Sequence, residues 1–169
     1  NRDAIAKLLR FESSMTEDGV TIGLAEYVKR MAPDQKAIYY QIAPSRTAIE
    51  SGPYLEAFKA KGIEVLYMFE TIDEYVVSSL SKFEDKELKA VNADDIDLGE
   101  NDAEGEQLPE AEATELCDWM KERLTSANVD TVRAGKRLVG SPALVLTPEG
   151  EMNAQMRQMM KALGKEAGL

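Results

Sequence analysis

The residues with the most distinctive chemistry are four methionines near the end of the chain. Met152, Met156, Met159 and Met160 recur at helical spacing, which places them on one face of a predicted helix over residues 151–163. A methionine side chain is flexible and polarisable, so it suits irregular cores and also surfaces that bind partners of varied shape. The residues alone therefore leave two interpretations open, a buried helix face and a soft binding surface.

Side chains that would support catalysis are scarce. The sequence has no histidine and a single cysteine, Cys117. The lack of histidine removes the usual general base and most zinc sites, and a lone cysteine excludes an internal disulfide. The sequence contains no glycine-rich phosphate loop, nucleophile elbow or metal-ligand spacing. We therefore expect no enzyme activity and no bound cofactor or metal in this chain.

The acidic charge of the chain is concentrated in one segment. The net charge is −11, and residues 90–115 contain many Asp and Glu but no Lys or Arg. A negative chain repels phosphates, which argues against nucleic-acid binding. No apolar run approaches the roughly 18–20 residues that cross a bilayer, so we expect no membrane span. The opening "NRDAIAKLL" begins as if inside a helix, and we expect a piece of a longer protein.

Helical and strand patterns alternate along the first half of the chain. Helical spacing predicts helices over residues 1–13, 21–31, from Ser45, over 54–62 and over 71–83 with Thr71 as N-cap. Apolar runs predict strands at 36–44, at 63–69 in the centre of a sheet, and at 86–91 on its edge. The helical spacing over 71–83 runs through Ile72, Tyr75, Val76, Ser79 and Leu80. This alternation predicts a layered α/β (α+β) fold.

Residues 94–110 combine low hydrophobicity with charge of one sign, which predicts a mobile linker. The linker would divide residues 1–93 from residues 111–169. After it we predict a helix over 110–124 with Trp119 in the core, and strands at 128–135 and 142–147. A basic cluster of Arg133, Lys136 and Arg137 is expected to be a solvated strand edge or a partner for the acidic linker.

Five phrases, in order, resemble the heat shock protein 90 family of chaperones. They are "LLRFESS", "LAEYVKRM…QKAIYY", "GPYLEAFKAKGIEVLYM…IDEY", "KRLVGSPALV" and "MRQMMKAL". The resemblance covers almost the whole chain, and the acidic segment is the least matched part. "LLRFESS", "IAPSR" and "MFETIDEY" are most similar to the mitochondrial tumour-necrosis-factor-receptor-associated branch. That branch implies the mitochondrial matrix, with the cytoplasm as the alternative.

The resemblance implies a domain organisation. Residues 1–93 match the family's small α-β-α middle segment, 94–110 an acidic linker, and 111–169 the first part of the C-terminal dimerisation domain. The family's nucleotide site and its late dimer helices both lie outside these segments. ATP, Mg and the homodimer are therefore implied for the full-length parent, and no residue here is assigned to ATP.

The resemblance also implies client-binding residues, where a client is a partly folded protein. In relatives the helix matching 151–163 contacts clients through its apolar residues, which marks Met152, Met156, Met159 and Met160. The helix matching 71–83 carries an acidic residue, a tryptophan and an asparagine at the client cleft, and those positions here read Glu74, Tyr75 and Ser78. The function implied is part of an ATP-dependent chaperone that binds clients and relays middle-domain motion to the C-terminal dimer. The alternative is an adaptor that docks one fixed partner.

Overall fold

A computed structural model describes residues 2–98, 108–127, 129–135 and 137–147 of the protein. Its strands are β1 (Arg10–Ser13), β2 (Ile22–Gly23), β3 (Ala37–Ile42), β4 (Val65–Met68), β5 (Lys82–Phe83) and β6 (Lys86–Ala90). Its α-helices are α1 (Arg2–Ala6), α2 (Leu24–Arg30), α3 (Arg46–Glu50), α4 (Glu56–Ala60), α5 (Thr71–Leu80) and α6 (Glu110–Arg123). Short 3-10 turns at Pro53–Leu55 and Thr125–Ala127 precede α4 and follow α6.

The strands form one mixed sheet in the order β2-β1-β4-β3-β6-β5. β3 pairs in parallel with β4 on one side and β6 on the other, with Tyr39 opposite Val65 and Lys89. β1 runs antiparallel to β4. Every residue of β4 is buried, as expected for a central strand covered on both faces. The predictions of a strand at 36–44 and of a central strand at 63–69 are confirmed.

Alternate residues of β3 and β4 feed two cores on opposite faces of the sheet. Ile38, Leu66 and Met68 pack with Leu24 and Tyr27 of α2 and Val77 of α5. Tyr39, Val65 and Tyr67 pack with Ile49 of α3 and with Leu55 and Phe58 around α4. Helices therefore cover both faces, which confirms the predicted layered α/β fold.

The prediction of one helix over residues 1–13 is correct only at its start. The helix α1 ends at Ala6, and Arg10–Ser13 is instead a strand in which Phe11 and Ser13 are buried. Pairing with β4 and β2 satisfies the backbone of this strand, a long-range interaction that helical spacing cannot reveal. For the same reason the second helix begins at Leu24, because Ile22–Gly23 pairs with β1.

The predicted helix over 71–83 is correct through Leu80. Ser81 then adopts a positive φ of 45°, and the chain turns into the β5–β6 hairpin through Glu84 and Asp85, also at positive φ. β6 therefore lies one strand in from the edge, because β5 pairs with its outer side. The prediction of an edge strand at 86–91 is wrong in position, although the strand exists.

The chain after β6 departs most from the expectations. Ile96 is buried in the same core as Phe58, so residues 94–98 of the predicted mobile linker pack against the sheet; residues 99–107 lie outside the described part. The described residues of 128–135 and 142–147 are not strands, apart from a single bridge between Ala93 and Thr147. Apolar, β-branched composition predicted strands there, but these residues pair with no strand of the described sheet.

The helix α6 exposes its apolar side chains within the described part of the chain. Trp119 is 54% exposed, Leu116 is 45% exposed, and the guanidinium of Arg123 lies 5.5 Å from the Trp119 ring centroid. Within the described part of the chain, the expectation that Trp119 is a core residue is therefore wrong. Helical spacing predicts which residues share a face, and it does not supply the element that covers the face.

The Tyr27 hydroxyl joins α2 to the backbone of β3 and to the residue that precedes β4. It donates to the Glu64 carbonyl at 2.6 Å and accepts from Gln35 Nε2 at 3.0 Å and from the Tyr39 amide at 3.1 Å. Burial raises the pKa of Tyr27 well above its usual range, so the hydroxyl remains a donor.

We expect Tyr27→Phe to lower the free energy of unfolding by roughly 1–3 kcal/mol, because three buried polar groups lose a partner. Urea denaturation measures this, with Tyr75→Phe as the control because Tyr75 is 50% exposed. Equal stability of both variants would contradict the role given to the Tyr27 hydroxyl.

Candidate functional site

The predicted site residues fall into two groups, of which the structure describes one. Met152, Met156, Met159 and Met160 lie outside the described residues. Glu74, Tyr75 and Ser78 all lie on α5. The part of the candidate site that has a geometry is therefore the outer surface of this helix.

A capping box fixes the start of α5. The Glu70 side chain accepts from the backbone amide of Asp73, and the Asp73 carboxylate accepts from the Glu70 amide at 3.0 Å. Glu70 is thus the N-cap, and the assignment of that role to Thr71 is wrong by one residue. The box satisfies two amides that a helix start leaves unpaired, which orients the first turn of α5.

The buried side of α5 does not coincide with the residues that its apolar spacing picks out. Val77 is 7% exposed and Glu74 is 6% exposed, so these residues face the sheet. Ile72 is 62% exposed and Tyr75 is 50% exposed, while Val76 and Leu80 of the same spacing are partly buried. Tertiary packing against β3 and the β5–β6 hairpin decides which side of α5 turns inward.

Glu74 lies beneath the surface that Tyr75 and Ser78 form. Burial raises the pKa of the Tyr40 phenol, and the nearby Glu74 carboxylate raises it further, so Glu74 lies close to β3. The exposed Ser78 hydroxyl donates to the Glu74 carbonyl at 2.6 Å, one turn back along α5. The structure thus brings the three residues together on one helix and exposes two of them.

Ile72 is a surface residue that the sequence analysis did not include in the candidate site. It lies one turn before Tyr75, so the two side chains form an exposed apolar pair on α5. The sequence carries no signal for this, because an isoleucine at a core-compatible position is normally read as buried.

The surroundings of α5 favour a surface contact over a small-molecule site. A cleft of about 160 Å³ lies beside its first turn, between Asp73, Glu70 and Arg10. Pockets that enclose drug-sized ligands are roughly 300–1,000 Å³ and mostly apolar. Within the described ranges, no cluster of His, Cys, Asp and Glu could hold a metal ion, and no helix could span a bilayer.

We expect Val77→Ala to cost about 2 kcal/mol of unfolding free energy, because it removes two buried methyl groups. Ile72→Ala should stay within about 0.5 kcal/mol of the wild type, because its side chain is largely in solvent. Urea denaturation of the two variants compares the faces directly. A larger loss for Ile72→Ala would contradict the placement of Val77 in the core and of Ile72 at the surface.

Comparison with known proteins places this fold among chaperones. The family model described as Hsp90 protein matches residues 1–167. Chaperone protein HtpG of Desulfotalea psychrophila is 44% identical over 170 residues, covering 98% of this chain and 27% of that protein. Heat shock protein 90-6, mitochondrial, of Arabidopsis thaliana is 40% identical over 162 residues, covering 96% of this chain and 20% of that protein.

Chaperone protein HtpG of Desulfitobacterium hafniense is also similar, at 43% identity over 169 residues. This chain spans only about a quarter of the length of these bacterial relatives. The family match nevertheless extends over almost the whole chain, acidic segment included. The chain therefore belongs to the Hsp90 protein family.

Proposed function

We propose that this chain is a client-binding part of an Hsp90-type chaperone. The observation that carries the proposal is the exposed apolar pair Ile72 and Tyr75 on a helix whose other side is fixed to the sheet. Tyrosine presents an apolar ring with a polar tip, which suits a wet contact with another protein. Exposed apolar side chains on a fixed helix can bind unfolded segments without sequence-specific contacts.

The binding would act by mass action on apolar surface. An unfolded client exposes side chains that gain from burial against α5, and binding the unfolded form withdraws it from aggregation. We propose that Met152, Met156, Met159 and Met160 extend this surface, since flexible thioethers adapt to clients of different shape. Glu74 would act indirectly, by its place under Tyr75 and Ser78.

The wider assembly is proposed from the family. We propose that residues 1–93 and 111–169 belong to a middle segment and a C-terminal domain joined by residues 94–110. The longer protein would bind ATP and Mg outside this chain, form a homodimer, and relay middle-domain motion to that dimer. The mitochondrial branch and matrix location stay predictions, since the relatives include bacterial proteins and a mitochondrial one at similar identity.

The α5 surface is tested by Ile72→Ser combined with Tyr75→Ser. We expect the double variant to suppress aggregation of several unrelated unfolded proteins severalfold less well, because both anchors of the apolar pair are lost. Light scattering measures suppression, and circular dichroism checks that the melting curve is unchanged. Val145→Ser is the matched control, because Val145 is 69% exposed and lies in residues 137–147, which cross the opposite face of the sheet.

Unchanged suppression by the double variant would contradict the assignment of α5. Suppression restricted to one of the unfolded proteins would favour an adaptor with a fixed partner. A measurable ATPase rate from this chain alone would overturn the placement of the nucleotide site outside it.

The methionine stripe is tested by Met156→Ser combined with Met160→Ser. We expect weaker binding of unfolded clients with an unchanged circular-dichroism melt, because the stripe is proposed to contact clients and not the core. Met15→Ser is the control, since Met15 is 51% exposed and lies near β1. Loss of the cooperative melt together with binding would show that the stripe is part of the core.

A further inference from the structure

Residues 137–147, here called the strap, cross the α4 face of the sheet. Glu56, the first residue of α4, receives three consecutive strap amides on its Oε2: Val139 at 3.1 Å, Gly140 at 2.8 Å and Ser141 at 3.1 Å. The Ser141 hydroxyl donates to the other carboxylate oxygen, Oε1. One side chain thus holds three residues that are more than eighty positions away in sequence.

Both ends of the strap are tied to the chain that follows β6. At one end the Arg137 guanidinium donates to the carbonyls of Ala93, at 2.8 Å, and Val91. At the other end Thr147 donates its amide to the Asn92 carbonyl at 2.9 Å and accepts from the Asp94 amide at 3.3 Å. Of the basic cluster, Arg137 thus contacts carbonyls that precede the predicted linker, and Arg133 donates to the carbonyl of Asp94 at its first residue, at 3.4 Å.

Polar contacts hold the strap, and none of its apolar side chains is fully buried, although Leu138, Leu144 and Leu146 are partly buried. Val139 is 50% exposed and Val145 is 69% exposed. Arg137 Nε is buried without an acceptor among the residues that the structure describes, so the hydrogen bonding at this end of the strap is incomplete. Segments with few buried apolar contacts open at lower free energy than the core that they cover.

We propose that the strap is a detachable conformational element, and that the Glu56 carboxylate is the latch that holds it on the small α/β unit. Closed, the latch fixes the position of Thr147 beside the sheet. Released, it frees the strap without unfolding the sheet. The strap would be the element that moves in the relay of the proposed function. The latch itself rests on the contacts above, whether or not clients bind.

The charge of Glu56 is central to the latch. The Ser141 hydroxyl and then the Gly140 amide lower the pKa of Glu56 to about 2, although partial burial acts to raise this pKa. The carboxylate is therefore ionised at neutral pH, and its bonds to the strap are charge-assisted. Glu56→Gln keeps the size of the side chain and removes the charge, while Ser141→Ala removes one bond alone.

Hydrogen exchange at neutral pH on the full chain tests the latch. We expect Glu56→Gln to raise exchange of the Val139, Gly140 and Ser141 amides at least tenfold and to leave the β4 amides unchanged. Ser141→Ala should produce a smaller rise confined to the strap. Glu17→Gln is the matched control, because Glu17 is an exposed carboxylate on a loop before β2.

Two results would overturn the proposal. One is strap exchange in Glu56→Gln equal to that of the wild type and of Glu17→Gln. The other is a rise shared equally by the strap and β4 in both Glu56→Gln and Ser141→Ala, which would make the strap an inseparable part of the core. Neither readout involves a client, so failure of the latch and failure of client binding are distinguishable.

Discussion

The parallel pairing of β3 with β4 is the constraint on which the remaining structure depends. Both strands place buried side chains on both faces, so the chain must place helices on each side of the sheet. α2 and α5 cover one face, while α3 and α4 cover the other. Since α5 must turn Val77 and Glu74 toward the sheet, Ile72 and Tyr75 have no inward position left. The apolar surface is a consequence of how the core is closed.

The size of this surface limits what it can do alone. Burying two half-exposed apolar side chains yields on the order of 2–3 kcal/mol, whereas a micromolar complex needs about 8 kcal/mol. α5 can therefore contribute to client binding but cannot hold a client without further contacts. The four methionines beyond residue 151 are the proposed source of that additional area, and their flexible side chains fit a surface that must serve many partners.

Local sequence signals predicted those parts of the fold in which local and tertiary preferences agree. β3 and β4 are continuous apolar runs, Ser45 caps α3 through the Ala48 amide, and Gly62 ends α4 at a φ of +64°. Each of these features has a short-range physical cause. The position of β6 in the sheet was predicted wrongly, because helical spacing had assigned the residues of β5 to the preceding helix.

Prediction failed where a distant partner decides the outcome. β1 forms because β4 offers it a partner, and Ile72 is exposed because the opposite side of its helix packs better. The strap is held by Glu56 and by carbonyls from residues 91 and 93, contacts that no local pattern in "RLVGSPALVLT" encodes. For the candidate site, the sequence and the family resemblance identified the helix, and packing determined which of its residues reach the surface.

The central claim is that the outer side of α5 meets unfolded protein while its inner side stays in the core. The most direct measurement is methyl NMR of isoleucine-labelled protein during titration with an unfolded client. The Ile72 methyl signal should shift or broaden, and those of Ile38 and Ile49, both at 0% exposure, should not change. An unperturbed Ile72 signal at a client concentration that saturates binding would contradict the account.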